Sequence, residues 1–235
     1  ESVGARFAVA VTSGTAALHA ALAAAGLGPG DEGATTPLTF CATANCLLYR
    51  GATPVFCDVE EERLTLDPAA AARAIGPRTR ALLPVDYAGH PCEIDALLAL
   101  AEERDLVVIE DASHALGARL GAPPRDRPVG SLAHMTTFSF HPVKHVACGE
   151  GGMVTTDDEE LAAKLRRFRN HGLTSEARER QAGAQWAYDL VELGFNYRLS
   201  DVACALGRSQ LGRIAGNVAR RRAIARRYGA AFAEM

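Results

Sequence analysis

Lys144 stands in 138-FSFHPVKHVACGEGG-152 and is one of only two lysines among twenty-five Lys and Arg residues. Arginine serves for positive charge almost everywhere else, so the two exceptions call for different chemistry. A lysine ε-amine can form a Schiff base with an aldehyde, and burial can tune its basicity. A guanidinium can do neither. Lys164 has a structural explanation, since Glu160 lies four residues earlier in 158-DEELAAKLRRF-168 and an i,i+4 helical ion pair accounts for it. Lys144 lies behind Pro142, between His141 and His145, just before a glycine-rich turn. Its spacing alone leaves two readings open, an ordinary surface lysine and a kept amine.

Two further stretches could work with such an amine. In 9-VAVTSGTAALHAAL-22 an apolar run leads through Ser13, Gly14 and Thr15 into a helical pattern. Free backbone N–H groups and hydroxyls at a helix start suit a phosphate, although a plain N-cap has the same appearance. In 106-LVVIEDASHALGA-118 an acidic pair closes an apolar run, and successive strand residues face opposite ways, so only one of Glu110 and Asp111 can face a site. A buried carboxylate needs a cation or donors. A pyridinium nitrogen, an arginine or a helix cap would each serve. Asp111, Ser113 and His114 are too close in sequence for a hydrolase triad, no GxSxG elbow is present, and Ser139 and Lys144 lack SxxK spacing. His19 falls on a helix and reads as packed or exposed.

These residues need a scaffold, and the chain alternates short β-rich runs with longer amphipathic ones. Strands are expected at 7–11, 53–57, 81–85, 106–110, 134–140 and 153–156, with helices at 14–25, 39–49, 67–75, 93–104 and 157–170. Strands apolar on both faces alternating with helices predict an α/β layer architecture with a mostly parallel sheet. Chemistry then sits at the carboxyl ends of the strands, where the SGT turn, Asp111 and Lys144 fall. Beyond residue 172 the texture is polar and irregular over 173–189. Ser200 or Asp201 then offers an N-cap, and a long Arg-rich helix is expected from Asn217.

With 235 residues, 48% of them hydrophobic, the chain can bury a sizeable core. A formal charge of −3, five tyrosines and one tryptophan give no footprint for nucleic acid. The basic stretch 219-ARRRAIARRYG-229 reads as a solvated helix face. The six cysteines form neither a CxxC pair nor a zinc-spaced cluster, so no metal site is expected, and scattered thiols fit a reducing cytoplasm. No apolar run approaches the roughly 20 residues of a membrane span.

In combination, the blocks SGTAAL, GATPVFCDV, EDASHALGA, FSFHPVK, GEGGMVTT and LGFNYRLSD occur in an order that resembles the DegT/DnrJ/EryC1/StrS family of pyridoxal-phosphate-dependent sugar aminotransferases. The resemblance runs from about Phe7 to Leu211. It implies the aspartate aminotransferase (fold type I) architecture, a mixed, mostly parallel sheet between helices. It implies that Lys144 holds pyridoxal 5'-phosphate as an internal aldimine and that Asp111 bonds the pyridine nitrogen. Gly14, Thr15 and Ala16, with Ser139, would hold the phosphate. Phe40 would stack on the ring, and His114 would lie beside it. Asn196 would reach the cofactor phosphate of a neighbouring subunit, making a homodimer part of the site. An amino donor, glutamate by family analogy, and a nucleotide-linked keto sugar would be the substrates. The wording HPVKH followed by GEGG is closest to enzymes acting on UDP-4-keto-6-deoxy-N-acetylhexosamines, as in pseudaminic acid biosynthesis.

The resemblance also implies that residues 1–215 are the cofactor-binding large domain and that 216–235 begin a helix leading to a smaller C-terminal domain, with an N-terminal segment expected before the first strand. Within 30-GDEGATTP-37, Gly33 and Ala34 replace a β-branched pair and should weaken a strand. Cys148 stands where a threonine is common. Two other outcomes within the same fold are a dehydratase, whose family branch replaces the lysine by histidine, and a non-catalytic regulatory homologue.

Overall fold

The computed structural model describes residues 2–122, 126–174, 183 and 186–233. Its centre is a seven-stranded sheet built from β1 (Phe7–Val11), β2 (Glu32–Thr35), β3 (Thr53–Phe56), β4 (Thr79–Leu83), β5 (Val107–Asp111), β8 (Met135–Ser139) and β9 (Gly152–Thr156). The spatial order is β1-β9-β8-β5-β4-β2-β3. β9 runs antiparallel to both neighbours and every other pairing is parallel, the mostly parallel sheet expected from the sequence. Two-residue strands β6 (Arg119–Leu120) and β7 (Arg127–Pro128) make a separate small ladder.

Helices cover both faces. α1 (Gly14–Ala24), α2 (Ala42–Tyr49) and α5 (Glu159–Arg169) pack on one side around Leu18, Leu22, Leu47, Ile109 and Phe168. α3 (Pro68–Ala74) and α4 (Ile94–Arg104) pack on the other around Leu66, Leu82, Leu97 and Val108. β5 is sandwiched between them, with Ile109 in the first cluster and Val108 in the second. Two further helices close the chain, α6 (Asp201–Leu211) and α7 (Ile214–Ala231). Of the two N-cap candidates, Ser200 is the cap, accepting from the Ala203 N–H at 3.3 Å. Much of the polar stretch 173–189 lies outside the described residues.

β2 was absent from the expected strands, and its position explains why. It lies between β3 and β4, so neighbouring backbones hold it in place of β-branched side chains. A Cβ on Gly33 would run into the Leu47 side chain of α2. The glycine permits close approach of helix and sheet, so the weakening expected from sequence is offset by packing. Lys164 and Glu160 form the expected i,i+4 pair at 2.8 Å.

Because β9 is antiparallel to both neighbours, β1 and β8 run in the same direction as β5. Their carboxyl ends therefore share one rim of the sheet. Ser13 follows β1, Asp111 ends β5 and Ser139 ends β8.

Candidate active site

A cleft of about 310 Å³ opens on that rim, lined among others by Gly14, Thr15, Phe40, Asp111, His114, Ser139 and Lys144. Seven of the nine residues expected from sequence are thus brought together from five separate segments.

At one wall, α1 begins. Ser13 is its N-cap, with the Oγ accepting from Ala16 N–H at 3.0 Å. The amides of Gly14 and Thr15 have no acceptor within the helix, as the first turn of any helix dictates. The start of α1 packs so closely on the end of β8 that a Cβ on Gly14 would lie 2.8 Å from Ser139 Cβ. The result is a small polar cradle of two amides and the Thr15 and Ser139 hydroxyls at the positive end of a helix dipole. Ala16 departs from expectation. Its amide is occupied by the Ser13 hydroxyl, its side chain is buried in the core, and it does not line the cleft.

Asp111 forms another wall. Its Oδ1 accepts from the Ser113 hydroxyl at 2.6 Å and the Ser113 amide at 3.1 Å, and its Oδ2 accepts from the Thr43 hydroxyl at 2.7 Å. Thr43 has one hydroxyl proton and gives it to Asp111, so the 2.8 Å contact between Thr39 and Thr43 has Thr39 as donor. The relay Thr39, Thr43, Asp111 fixes the carboxylate with α2 as its buttress. Sequence reading missed Thr43, because its partner is 68 residues away and nothing local pairs them. Its only signal was the four-residue spacing of Thr39 and Thr43 at the start of a helix.

Lys144 lies in the 140–151 connection between β8 and β9. That loop is closed by Phe140 N–H to Gly151 O at 2.8 Å and Cys148 N–H to Phe140 O at 3.0 Å, while Lys144 N–H bonds to His141 O at 2.9 Å. Burial pulls the Lys144 amine below the usual lysine range, and the nearby Asp111 carboxylate opposes that shift. His114 is pulled down by burial and then by Lys144, with Asp111 opposing. His145 is lowered by burial, then Arg221, His114 and Lys144, and its Nδ1 is buried without a hydrogen-bond partner. Phe40 stands over the cleft mouth at 71% exposure, an unusual state for a phenylalanine and one that leaves its ring face open to a ligand. On the rim, His141 Nε2 lies 3.7 Å from Glu150 Oε1.

Asn196 does not reach this cleft. It is exposed, bridges Asn170 in a loop laid over β1, and has the cradle's far side as its neighbour through Thr12 N–H to Tyr197 O at 3.0 Å. Within one subunit it does not line the cleft. Among the described residues, no group of three or more His, Cys, Asp or Glu side chains is placed to hold a metal ion, and no helix is long and apolar enough to cross a membrane.

An α/β sheet whose strand ends bring an anion cradle, a buttressed carboxylate and a half-buried lysine into one cleft defines a phosphate-cofactor enzyme scaffold of the aminotransferase kind. The particular family is also clear. The family model of the DegT/DnrJ/EryC1/StrS aminotransferases matches residues 1–235, and the chain belongs to that family. It is 46% identical over 234 residues to the spore coat polysaccharide biosynthesis protein SpsC of Bacillus subtilis, covering 99% of this chain and 59% of SpsC. Among solved structures, Spr1654 from Streptococcus pneumoniae in its PMP form superposes with a TM-score of 0.90 at 31% identity, covering 99% of this chain and 63% of that one. The same protein is known in a PLP form. PseC from Helicobacter pylori, an aminotransferase involved in pseudaminic acid biosynthesis, gives a TM-score of 0.80 at 34% identity, covering 91% and 55%. The chain spans about three-fifths of the length of the curated relatives it matches. Pyridoxal phosphate is the cofactor of the family, and the fold is fold type I.

Proposed function

We propose that this chain is the cofactor-binding part of a pyridoxal-phosphate-dependent aminotransferase that moves an amino group onto a nucleotide-linked keto sugar. The observation that carries the reading is the meeting of Lys144, Asp111 and the Gly14–Thr15–Ser139 cradle in one cleft. The three match an aldehyde, a pyridine nitrogen and a phosphate, so the residues present fit the group. Family membership and the resemblance to SpsC and PseC support the sugar substrate.

Pyridoxal phosphate supplies, when bound, an aldehyde carbon and a ring that withdraws electrons. The chain's own residues do the rest. Lys144 would hold the cofactor through Nζ, and the same amine would be the group placed to move a proton at the substrate carbon. Burial shifts the amine toward lower basicity, the direction that suits a nucleophile and a base. Asp111 Oδ1 and Oδ2, held by Thr43 and Ser113, present a fixed acceptor to the ring N–H and favour its protonated form. Gly14 and Thr15 amides and Ser139 anchor the phosphate. Phe40 covers the ring face and excludes water, and His114 flanks it.

The donor in this reading is glutamate, and the acceptor is a UDP-4-keto-6-deoxy-N-acetylhexosamine aminated at C4. Two subunits complete the site, with Asn196 of one reaching the other's phosphate. In this reading residues 1–215 form the large domain, residues 216–235 belong to the helix that follows it, and the protein works in the cytoplasm. The test is incubation with pyridoxal phosphate, L-glutamate and the isomeric UDP-4-keto sugars. Release of 2-oxoglutarate together with a 4-amino sugar is expected. Release of 2-oxoglutarate with every keto sugar unchanged would remove the sugar assignment, and no 2-oxoglutarate at all would remove the transaminase.

A further inference from the structure

Beneath the cleft, on the other face of β5 from Asp111, lie two carboxyl groups that the proposed reaction does not use. Asp86 and Glu110 are buried to 0% and 1% exposure. Each has one oxygen satisfied. Asp86 Oδ1 accepts from the Cys92 amide at 2.9 Å, and Glu110 Oε2 accepts from the Thr136 hydroxyl at 2.8 Å. Each also has one buried oxygen, Asp86 Oδ2 and Glu110 Oε1, with no donor at all. The parallel pairing of Val85 with Asp111 sets Asp86 and Glu110 as diagonal neighbours on the same face of the sheet, and the two carboxyl groups interact directly.

The groups that face them are Asp111 from β5, the Cys92 thiol from the segment before α4, and Thr136 from β8. None is a cation. Two ionised carboxylates in such a place would leave two orphaned oxygens and an uncompensated pair of like charges, which buried dyads avoid by retaining a proton. One proton between them satisfies both orphaned atoms at once.

We propose that Asp86 and Glu110 share a single proton, and that this carboxyl–carboxylate hydrogen bond positions Asp111. The connection to Asp111 runs through backbone. Asp86 N–H donates to Asp111 O at 3.1 Å, Asp111 N–H donates to Pro84 O at 2.8 Å, and Val85 pairs with Asp111 as a parallel bridge. The segment 84–86 is therefore Asp111's support, and the shared proton ties that segment to β5. Burial raises both groups above the ordinary carboxyl range; Asp86 reaches about 7 against the hydrogen bonds from Cys92 that lower it, and Glu110 is raised further by the Asp86 charge. The proton-sharing is a property of the chain itself. Only its consequence for the cofactor rests on the role proposed for Asp111.

Infrared spectroscopy of the protein at about pH 7 tests the proton directly, because ordinary Asp and Glu side chains are then ionised. A carboxylic-acid C=O stretch is expected in the wild type, and it should vanish in both Glu110→Gln and Asp86→Asn, where an amide N–H replaces the shared proton. No such band in the wild type overturns the proposal, with no variant needed. The pH dependence of unfolding gives a second reading. Groups raised in the folded state make the native chain bind more protons than the unfolded one, so the contribution of this pair to stability falls as pH rises from about 4 toward 7. Glu110→Gln should flatten that slope by one proton, and an unchanged slope counts against the pair. For positioning, Glu110→Ala should weaken pyridoxal phosphate binding roughly tenfold, one lost hydrogen bond's worth, with Glu110→Gln restoring it. Equal affinity in the Ala and Gln variants, with the infrared band present in the wild type, would keep the shared proton and discard the positioning role.

Discussion

Glu110 and Asp111 are adjacent residues at the end of one strand, and their surroundings are opposite. Asp111 faces α1 and α2, lines an open cleft, and accepts three hydrogen bonds from Thr43 and Ser113. Glu110 faces the α3–α4 side, is sealed, and accepts one side-chain hydrogen bond while its other oxygen goes without. The pleat alone separates them. The difference teaches that a carboxylate meant to meet a ligand is held by donors from the protein on its flanks, with its outer edge left open. A carboxylate in the sealed layer must find its partner within the protein, and here the partner is another acid.

Removing the flanking support is the strongest way to break that comparison. Asp111→Ala leaves the Thr43 hydroxyl and both Ser113 donors without their acceptor, and a loss of about 3–4 kcal/mol is expected in denaturant unfolding. A loss under about 1 kcal/mol would mean that water replaces the carboxylate freely and that the three bonds do not define it.

His19 sharpens the contrast from the helix side, as a buried polar group of α1 that lies away from the cleft. Its Nδ1 lies 3.1 Å from the Tyr197 hydroxyl, and Tyr49, Phe168, Phe195 and Tyr197 surround the ring. Burial, assisted by Arg50, lowers it to about 4. The folded chain then holds a neutral imidazole where the unfolded chain would bind a proton, so His19's own contribution to stability is complete above about pH 6.5 and is lost as pH drops toward 4, by roughly 3 kcal/mol at most, opposite in sign to that of the Asp86–Glu110 pair. His19→Phe should remove that acid-side decline in thermal unfolding scans across the same window. A decline of the same size in the variant would locate it elsewhere.

Thr43→Val is the gentlest of these changes. It removes one charge-assisted bond at nearly constant volume and should cost about 1.5–2 kcal/mol. Because Asp111 keeps both Ser113 donors, weaker pyridoxal phosphate binding should accompany the loss. Unchanged cofactor affinity would show that Ser113 alone orients the carboxylate.

The parts of the fold visible in the sequence were those written in local pattern. β5 follows the apolar run 106–109, β8 is rich in β-branched and aromatic residues, α5 carries the Glu160–Lys164 pair, and all appear within a residue or two of their expected ends. Lys144, Asp111 and the SGT turn were legible as residue types whose chemistry fits together. What escaped was set by distance. Thr43 matters only because α2 packs against the end of β5, and the bond from the Ala16 amide to Ser13 is a matter of local geometry that residue types alone do not fix. β2 went unseen because Gly33 and Ala34 carry little β-propensity, and the reason for Gly33 is Leu47, fourteen residues later on a helix. Asn196 needs a second subunit before its expected role can be drawn.

Lys144, which lines the same cleft as Asp111, is the amine proposed to hold the cofactor. Two lysines in the chain make the measurement unusually clean. Incubation with pyridoxal phosphate, borohydride reduction and peptide mass mapping should place the phosphopyridoxyl group on Lys144, leave Lys164 unmodified, and give no adduct in Lys144→Ala. An adduct on Lys164, or one that persists at the same level in Lys144→Ala, would contradict the account.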